Sequence, residues 1–232
     1  MRDKIITYME MCQKEGAQLQ KGMNFRLRGK HSIFLMSIRK DAPYADRILE
    51  DGQVLIYEGH DVPQRAGEEY PKHVDQPEFT PSGNLTENGK FHKAAQDFLA
   101  GDKGPDIVRV YEKLKKGIWS DNGAFHLVDS WVENDGRRNV FKFRLNAIDD
   151  FVDSEDAVAE ATAEYKHARI IPASVKQEVF KRDRGKCVMC GADDEIHFDH
   201  VLPYSKGGTS LKAENIQILC ARHNLQKGAS IE

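Results

Sequence analysis

Residues 187–228 read CVMCGADDEIHFDHVLPYSKGGTSLKAENIQILCARHNLQKG. Two ligand pairs bracket this stretch, Cys187 with Cys190 and Cys220 with His223, and 29 residues separate them. Two short-spaced pairs of soft ligands are the pattern of a tetrahedral Zn2+ site of the Cys3His type. Four protein ligands leave no open coordination position. The ion is therefore expected to be structural and to hold a small unit that cannot bury enough core alone. Between the pairs, EIHFDHVLPY (195–204) reads as a strand running into a loop. Alternate residues of a strand share a face, which puts His197 and Asp199 on one side and His200 on the other. SKGG makes a turn, and Asn224 and Lys227 follow the second pair at helical spacing. Zinc accounts for four side chains and leaves the Asp199-His200 dipeptide unexplained.

Working outward, the 232 residues suffice for one large domain or two small ones. With 40% hydrophobic and 31% charged residues the chain has a soluble, globular composition. No stretch has the apolar length of a membrane span, and MRDKIITYMEMCQKEGAQLQ lacks the apolar core of a secretory signal, so the expected location is cytoplasmic. Cys12, the fourth cysteine, reads as a lone buried thiol on a helix. A net charge of −3 gives no sign of a non-specific nucleic-acid coat, although a local basic patch is compatible with it.

The first 150 residues have a different period. Residues 3–20 are expected to be helical, with Ile5, Ile6, Met9 and Cys12 near helical spacing. MNFRLR, between Gly22 and Gly29, reads as a short strand or loop. SIFLMSIR, QVLIYEG, DIVRVYEK, AFHLVDSWVE and RNVFKFRLNAI are strand-length runs rich in Val, Ile and aromatics. ENDGRRN is a hairpin turn between the last two. TENGKFHKAAQDFLAG (86–101) reads as a helix with Phe91, Ala94, Ala95 and Phe98 on one face. Residues 59–84 read as a long loop, a length that is usually functional or mobile. SEDAVAEATAEYKHAR (154–169) reads as a connecting helix with Ser154 as N-cap. In IPASVKQEVFKRDRG, Pro172 opens a further helix and Gly185 ends it.

The C-terminal pattern resembles the HNH nuclease domain, a ββα-metal fold. The resemblance runs over residues 172–228 and rests on the order Cys187/Cys190, Asp199-His200, Asn215, Cys220/His223, Asn224 and Lys227. His223 stands where Cys is commoner in that family. The resemblance implies phosphodiester hydrolysis. A histidine near neutral pKa can deprotonate the attacking water, and His200 is the expected general base. Asp199 and Asn224 are the expected ligands of a catalytic divalent ion, Mg2+ or Mn2+. Asn215 is expected to brace the loop that carries the base, and Lys227 to meet phosphate. His197 is expected to be structural or a DNA contact. KRDRGK (181–186) is either a solvated helix end or a DNA-backbone contact. His60, His73, His92, His126 and His167 read as surface or packing histidines.

The N-terminal strands are similar to those of the SRA (YDG) domain. PYADRILEDGQVLIYEGHD (43–61) carries the resemblance, with GPDIVRVYEK and NGAFHLVDSWVENDGRRNVFKFRL matching later strands. That family implies a curved barrel that flips a modified cytosine out of the duplex into a pocket. Tyr44 and Tyr57 are then the expected faces of a base sandwich, and Asp46 the partner of the base edge. Glu58 stands where the family commonly has Thr. Both tyrosines also fit the bland reading of ordinary barrel aromatics.

The combined expectation is an α+β chain in three parts. Residues 1–150 form a mainly-β, PUA/SRA-like curved barrel with flanking helices. Residues 151–171 form a helical linker, and residues 172–232 a zinc-stabilised ββα-metal (HNH) domain. The expected function is a modification-dependent DNA restriction endonuclease reading 5-methyl- or 5-hydroxymethylcytosine in double-stranded DNA. Cutting both strands needs two active sites, so a homodimer is expected. Rival readings are an HNH endonuclease that reads unmodified sequence or a damaged base, and a zinc-stabilised DNA-binding regulator without catalysis.

Overall fold

The structure, a computed structural model, describes residues 4–49, 53–148, 171–203 and 206–228. The helix expected over 154–169 lies outside them. The chain is α+β, as expected. Its strands are β1 (Lys4–Thr7), β2 (Met23–Asn24), β3 (Ser32–Met36), β4 (Arg47–Leu49), β5 (Val54–Glu58), β6 (Asp106–Lys115), β7 (Ile118–Asn134), β8 (Asn139–Ala147), β9 (Ile196–His200) and β10 (Ile216–Cys220). Its helices are α1 (Tyr8–Glu15), α2 (Glu87–Leu99), α3 (Ala173–Arg182) and α4 (Ala221–Lys227). No helix among the described residues is long and apolar enough to cross a membrane.

The five dense apolar runs all form strands. They curl round one core, which ring contacts demonstrate. Strands β3, β6, β7, β8 and β5 follow one another edge to edge. Yet Phe34 of β3 and Tyr57 of β5 stack with centroids 4.0 Å apart and planes 14° apart. A flat sheet holds strands four steps apart at nearly 20 Å, so this one has rolled up. Its end strands β2 and β4 do not pair with each other among the described residues, so the barrel is open. Helix α2 plugs it. Thr86 caps the helix by accepting from Gly89 N, and Phe91 and Ala95 are wholly buried against Phe34 and Phe143.

The expectation of a helix over 3–20 is corrected at its start. Lys4–Thr7 is a strand, and only Tyr8–Glu15 is helical. Thr7 sets the boundary through a capping box: its Oγ1 accepts from Glu10 N at 3.2 Å, and Glu10 Oε2 accepts from Thr7 N at 2.6 Å. The preceding Ile5-Ile6 is β-branched and prefers the pleated sheet. β1 then pairs with β7 along one edge and meets β9 on the other, at Lys4↔His197. The sheet thereby runs on into β9 and β10, and α4 follows β10 directly, giving the ββα order.

Candidate active site

The four soft ligands converge. Cys187, Cys190, Cys220 and His223 present ligand atoms that all lie within 4.8 Å of one another. Cys187 Sγ is 3.4 Å from His223 Nδ1, Cys220 Sγ is 3.3 Å from the same nitrogen, and the Cys190 and Cys220 sulfurs are 3.8 Å apart. The edge of a tetrahedron with metal–sulfur bonds of 2.3 Å is about 3.8 Å, so these residues fit an ion such as zinc. A tight turn presents the first pair. Cys187 accepts from Gly191 N, and Gly191 takes a φ of 76°. Cys220 ends β10 and caps α4, which brings His223 round within one turn. Burial pushes the Cys187 thiol up. Backbone amides of Cys220, Met189 and Cys190, together with His223, outweigh it and hold the thiol down at about 6. That favours the thiolate, the form that binds metal.

Asp199 and His200 end β9, opposite Gln217 and Ile216 of β10. Asp199 Oδ2 accepts from Lys227 Nζ at 2.5 Å and from Gln217 Nε2 at 3.2 Å. Lys227 also donates to the His200 carbonyl. Lys227 was expected to meet phosphate, and its ammonium lies against Asp199. The side chain is 3% exposed, and its charge is spent on Asp199. Asn224 lies three residues before Lys227 on α4, at the spacing of neighbours on one helix face.

Asn215 was expected to brace the loop that carries the base, and its side chain makes three hydrogen bonds there. Its Oδ1 accepts from Leu202 N at 2.8 Å, and its Nδ2 donates to Leu202 O at 3.1 Å and Thr209 O at 3.0 Å. It thus staples both ends of the loop that leaves the histidine. His200 Nε2 lies 2.9 Å from Ser210 Oγ, and Ser210 is buried. Sequence reading missed Ser210. Its only signal was a hydroxyl just after the Gly-Gly turn. His197 is buried in β9 where the strand meets β1, a packing position.

Tyr44, Asp46, Tyr57 and Glu58 also come together, but in a closed arrangement. Tyr57 is 2% exposed, and its hydroxyl donates to Gly22 O and Leu35 O. The space between the two tyrosines is taken by His60. Its ring lies 4.7 Å from that of Tyr44 with planes 7° apart, and its Nε2 is 2.8 Å from Tyr57 Oη. Lys72 Nζ sits 4.0 Å over the outer face of Tyr44. A column therefore runs from Phe34 through Tyr57, His60 and Tyr44 to Lys72. Gly22 makes room for it, since a Cβ there would stand 2.2 Å from the imidazole. Asn88 holds the His60 backbone at both N and O. Burial drives the imidazole pKa down to about 4, so the stacked ring is neutral.

Both Asp46 oxygens are engaged by backbone, Oδ1 by Glu58 N and Oδ2 by Ser37 N. Burial lifts its pKa to about 7. Glu58 accepts from Ala45 N and from Lys142 Nζ at 2.9 Å. The long loop expected over 59–84 closes over this cluster. Arg138 reaches Asp61 at 2.5 Å and donates to Pro71 O and Val74 O, while Gln76 ties Gly59 to Phe141. His60 was grouped with packing histidines. Its position three residues after Tyr57, at the loop entrance, was the available sign of a larger part.

Residues 187–230 match the HNH endonuclease family model. The match contains the metal-ligand cluster and all five candidate catalytic residues. No curated protein matches the chain. Among solved structures, the SUVH5 SRA domain with hemimethylated CG DNA is 24% identical, with a TM-score of 0.43, over 64% of this chain and 88% of that one. The same domain bound to fully hydroxymethylated CG DNA is 22% identical, with a TM-score of 0.42, over 62% and 85%. The type IV phosphorothioation-dependent restriction endonuclease ScoMcrA is 15% identical, with a TM-score of 0.43, over 99% of this chain and 57% of that one.

Proposed function

We propose that the chain is a DNA endonuclease whose HNH unit hydrolyses phosphodiester bonds and whose N-terminal barrel selects DNA carrying a modified base. The observation that carries the nuclease reading is the cluster around β9. Asp199 and His200 are consecutive at the end of β9, Asn215 fixes the loop that follows them, and α4 carries Asn224 and the Lys227 that pairs with Asp199, within the stretch that also forms the Cys/His cluster. His200, oriented by Ser210, takes the proton from the attacking water. Both Asp199 hydrogen bonds fall on Oδ2, which leaves Oδ1 to hold a divalent ion, with the Asn224 amide as second ligand. An ion held there, Mg2+ or Mn2+, supplies positive charge to the phosphate and the leaving oxygen. Lys227 aims Asp199 through its hydrogen bond to Oδ2. Zinc is the ion we assign to the Cys/His cluster, where it braces β10 against α4.

The barrel is the reader in this proposal, with Tyr44, Asp46, Tyr57 and Glu58 around the base and 5-methyl- or 5-hydroxymethylcytosine as the target. Seating a flipped base between the two tyrosines requires the His60 ring to swing out. Two chains acting as a homodimer provide the two sites that a double-strand cut needs. We place the protein in the cytoplasm, and the division at residues 150 and 171 is part of the same proposal.

The test is cleavage of matched plasmids carrying cytosine, 5-methylcytosine or 5-hydroxymethylcytosine, with Mg2+ or Mn2+ and with His200→Ala as control. Cleavage of a modified plasmid alone, abolished in the variant, is the expected result. Equal cleavage of all three removes the modified-base reader. Absence of cleavage with the metal cluster loaded removes the nuclease.

A further inference from the structure

The reader and the nuclease meet in a packed seam. β1 is hydrogen-bonded to β7 of the barrel and bridges to β9 of the HNH unit, so one sheet passes through both. Beneath it lies a single apolar cluster with contributions from every side. Ile5 comes from β1, and Leu114 and Ile118 come from the β6–β7 hairpin. Val175 and Val179 come from α3, and Ile196, Phe198, Ile216 and Ile218 from β9 and β10.

A polar lock lies within the seam. Lys176 of α3 is 0% exposed, and its ammonium reaches three side chains of the barrel hairpin. Asn122 Oδ1 is at 2.7 Å, Ser120 Oγ at 2.9 Å and Glu112 Oε2 at 3.4 Å. Asn122 Nδ2 in turn donates to Glu112 Oε2 at 3.1 Å. Glu112 and Ser120 are 0% exposed and Asn122 is 1% exposed. An ammonium has three protons, and three acceptors from one hairpin meet them. A buried charge tolerates little displacement from its partners, because any shift strands it without water. Apolar packing alone is less selective, since it allows sliding. The three-point lock therefore defines one orientation of α3 on the barrel.

We propose that this seam, with Lys176 as its positioning residue, fixes the nuclease on the reader, so that the distance from the recognised base to the cut is set by docking and not by the length of the connecting chain. The inference rests on the proposed nuclease reading for its cutting readout, and the docking itself has an independent one.

The experiment uses the full chain in three forms: wild type, Lys176→Met, and wild type with about ten Gly-Ser residues inserted between residues 150 and 170. Calorimetry comes first. Wild type and the insertion form are expected to unfold in one transition. Lys176→Met, which removes the buried ammonium from Glu112, Ser120 and Asn122, is expected to lose about 10 °C or split into two transitions. Cut positions are then mapped on an end-labelled modified duplex. The insertion form is expected to cut within about one nucleotide of the wild-type positions, whereas Lys176→Met spreads its cuts at similar total activity. Two independent transitions in wild type, or cuts that shift with the insertion, overturn the proposal. A Lys176→Met that fails to fold leaves the insertion form to decide. A wild type that cuts no DNA counts against the nuclease reading, and the docking then stands or falls on the calorimetry.

Discussion

The two candidate sites hold their polar groups in opposite ways. Around β9 the reactive groups sit half-buried at the end of one strand and on one short helix, all within residues 199–227. Their partners fix position without using every atom: Asp199 is held through one oxygen, and Asn215 braces the loop and not the ring of His200. Around Tyr44 the groups come from β5, β8 and two loops, and they satisfy one another. Asp46 spends both oxygens on backbone, Glu58 is neutralised by Lys142, and His60 fills the gap between the rings. A catalytic group must exchange partners during turnover, and a binding pocket needs room before its ligand arrives. On the proposed function, the first site can act as it stands, whereas the second has to open.

The largest expected effect tests the first half of that contrast. His200→Ala removes the general base from a site that is otherwise intact. Cleavage is expected to fall by roughly 10^2–10^4-fold, with the Cys/His cluster still binding its ion stoichiometrically. A fall below tenfold moves the base elsewhere. Asn215→Ala comes next. It cuts three hydrogen bonds that hold residues 202 and 209, so His200 loses its fixed aim, and kcat is expected to drop roughly 10–100-fold with little change in KM. An equal rise in KM indicates instead that the loop itself binds DNA.

The difference between the sites also explains what the sequence revealed. The HNH residues were legible because a metal cluster and a strand-to-helix order demand fixed spacings along a short stretch. Cys187/Cys190, Asp199-His200 and Asn224 with Lys227 could hardly be arranged otherwise. The barrel strands were legible from their dense apolar runs, which suit a sheet rolled round one core. The bridging role of β1 was not. Four residues carry no period, and Ile5 and Ile6 fit a helix as well as a strand until Thr7 is seen to cap. Ser210 and His60 were hidden for a related reason. Each acts through a partner far away in sequence, and no local pattern announces a contact made by folding. The Lys227–Asp199 pair was hidden in the same way, because spacing places a side chain on a face without showing what it pairs with.

His60 sharpens the second half of the contrast. If its ring blocks the slot between Tyr44 and Tyr57, only the fraction of molecules with the ring displaced can take up a base, and His60→Ala is expected to raise affinity for modified duplex about tenfold. Lost affinity in that variant makes His60 part of the reader and removes the blocking role. A pH experiment checks the burial independently. The folded imidazole has a pKa of about 4 against an ordinary 6.5, so between these values the unfolded chain binds a proton that the folded chain refuses. Stability is therefore complete above about 6.5 and falls as pH drops toward 4, by about 2–3 kcal/mol from this group. His60→Gln, neutral throughout, is expected to lose that share of the acid sensitivity in denaturant titrations. Asp46 works in the opposite sense. Its raised pKa of about 7 removes stability as pH rises from 3.8, so the comparison with His60→Gln must be made at each pH.

The smallest effect concerns the surface where the two regions join. A groove at the seam is lined by Leu114, Lys115, Gln177, Phe180, Lys181 and Arg184. Lys115 comes from the barrel hairpin and lies over the Phe180 ring at 4.5 Å, while Lys181 comes from α3 and Arg184 from the turn after it. These three cations make no ion pair among the described residues, and the groove exists only because the halves are docked. A duplex running from reader to nuclease along the seam would place its phosphates there, and each phosphate contact contributes about one unit to the salt dependence of binding. Replacing Lys115, Lys181 or Arg184 by Gln is expected to weaken binding a few-fold on modified and unmodified DNA alike, and to reduce the slope of log affinity against log salt by about one. Lys115→Gln alone carries the discriminating power. A barrel residue has no reason to affect the nuclease's grip on DNA unless both halves share one path, so an unchanged slope in that variant means the duplex leaves the reader by another face.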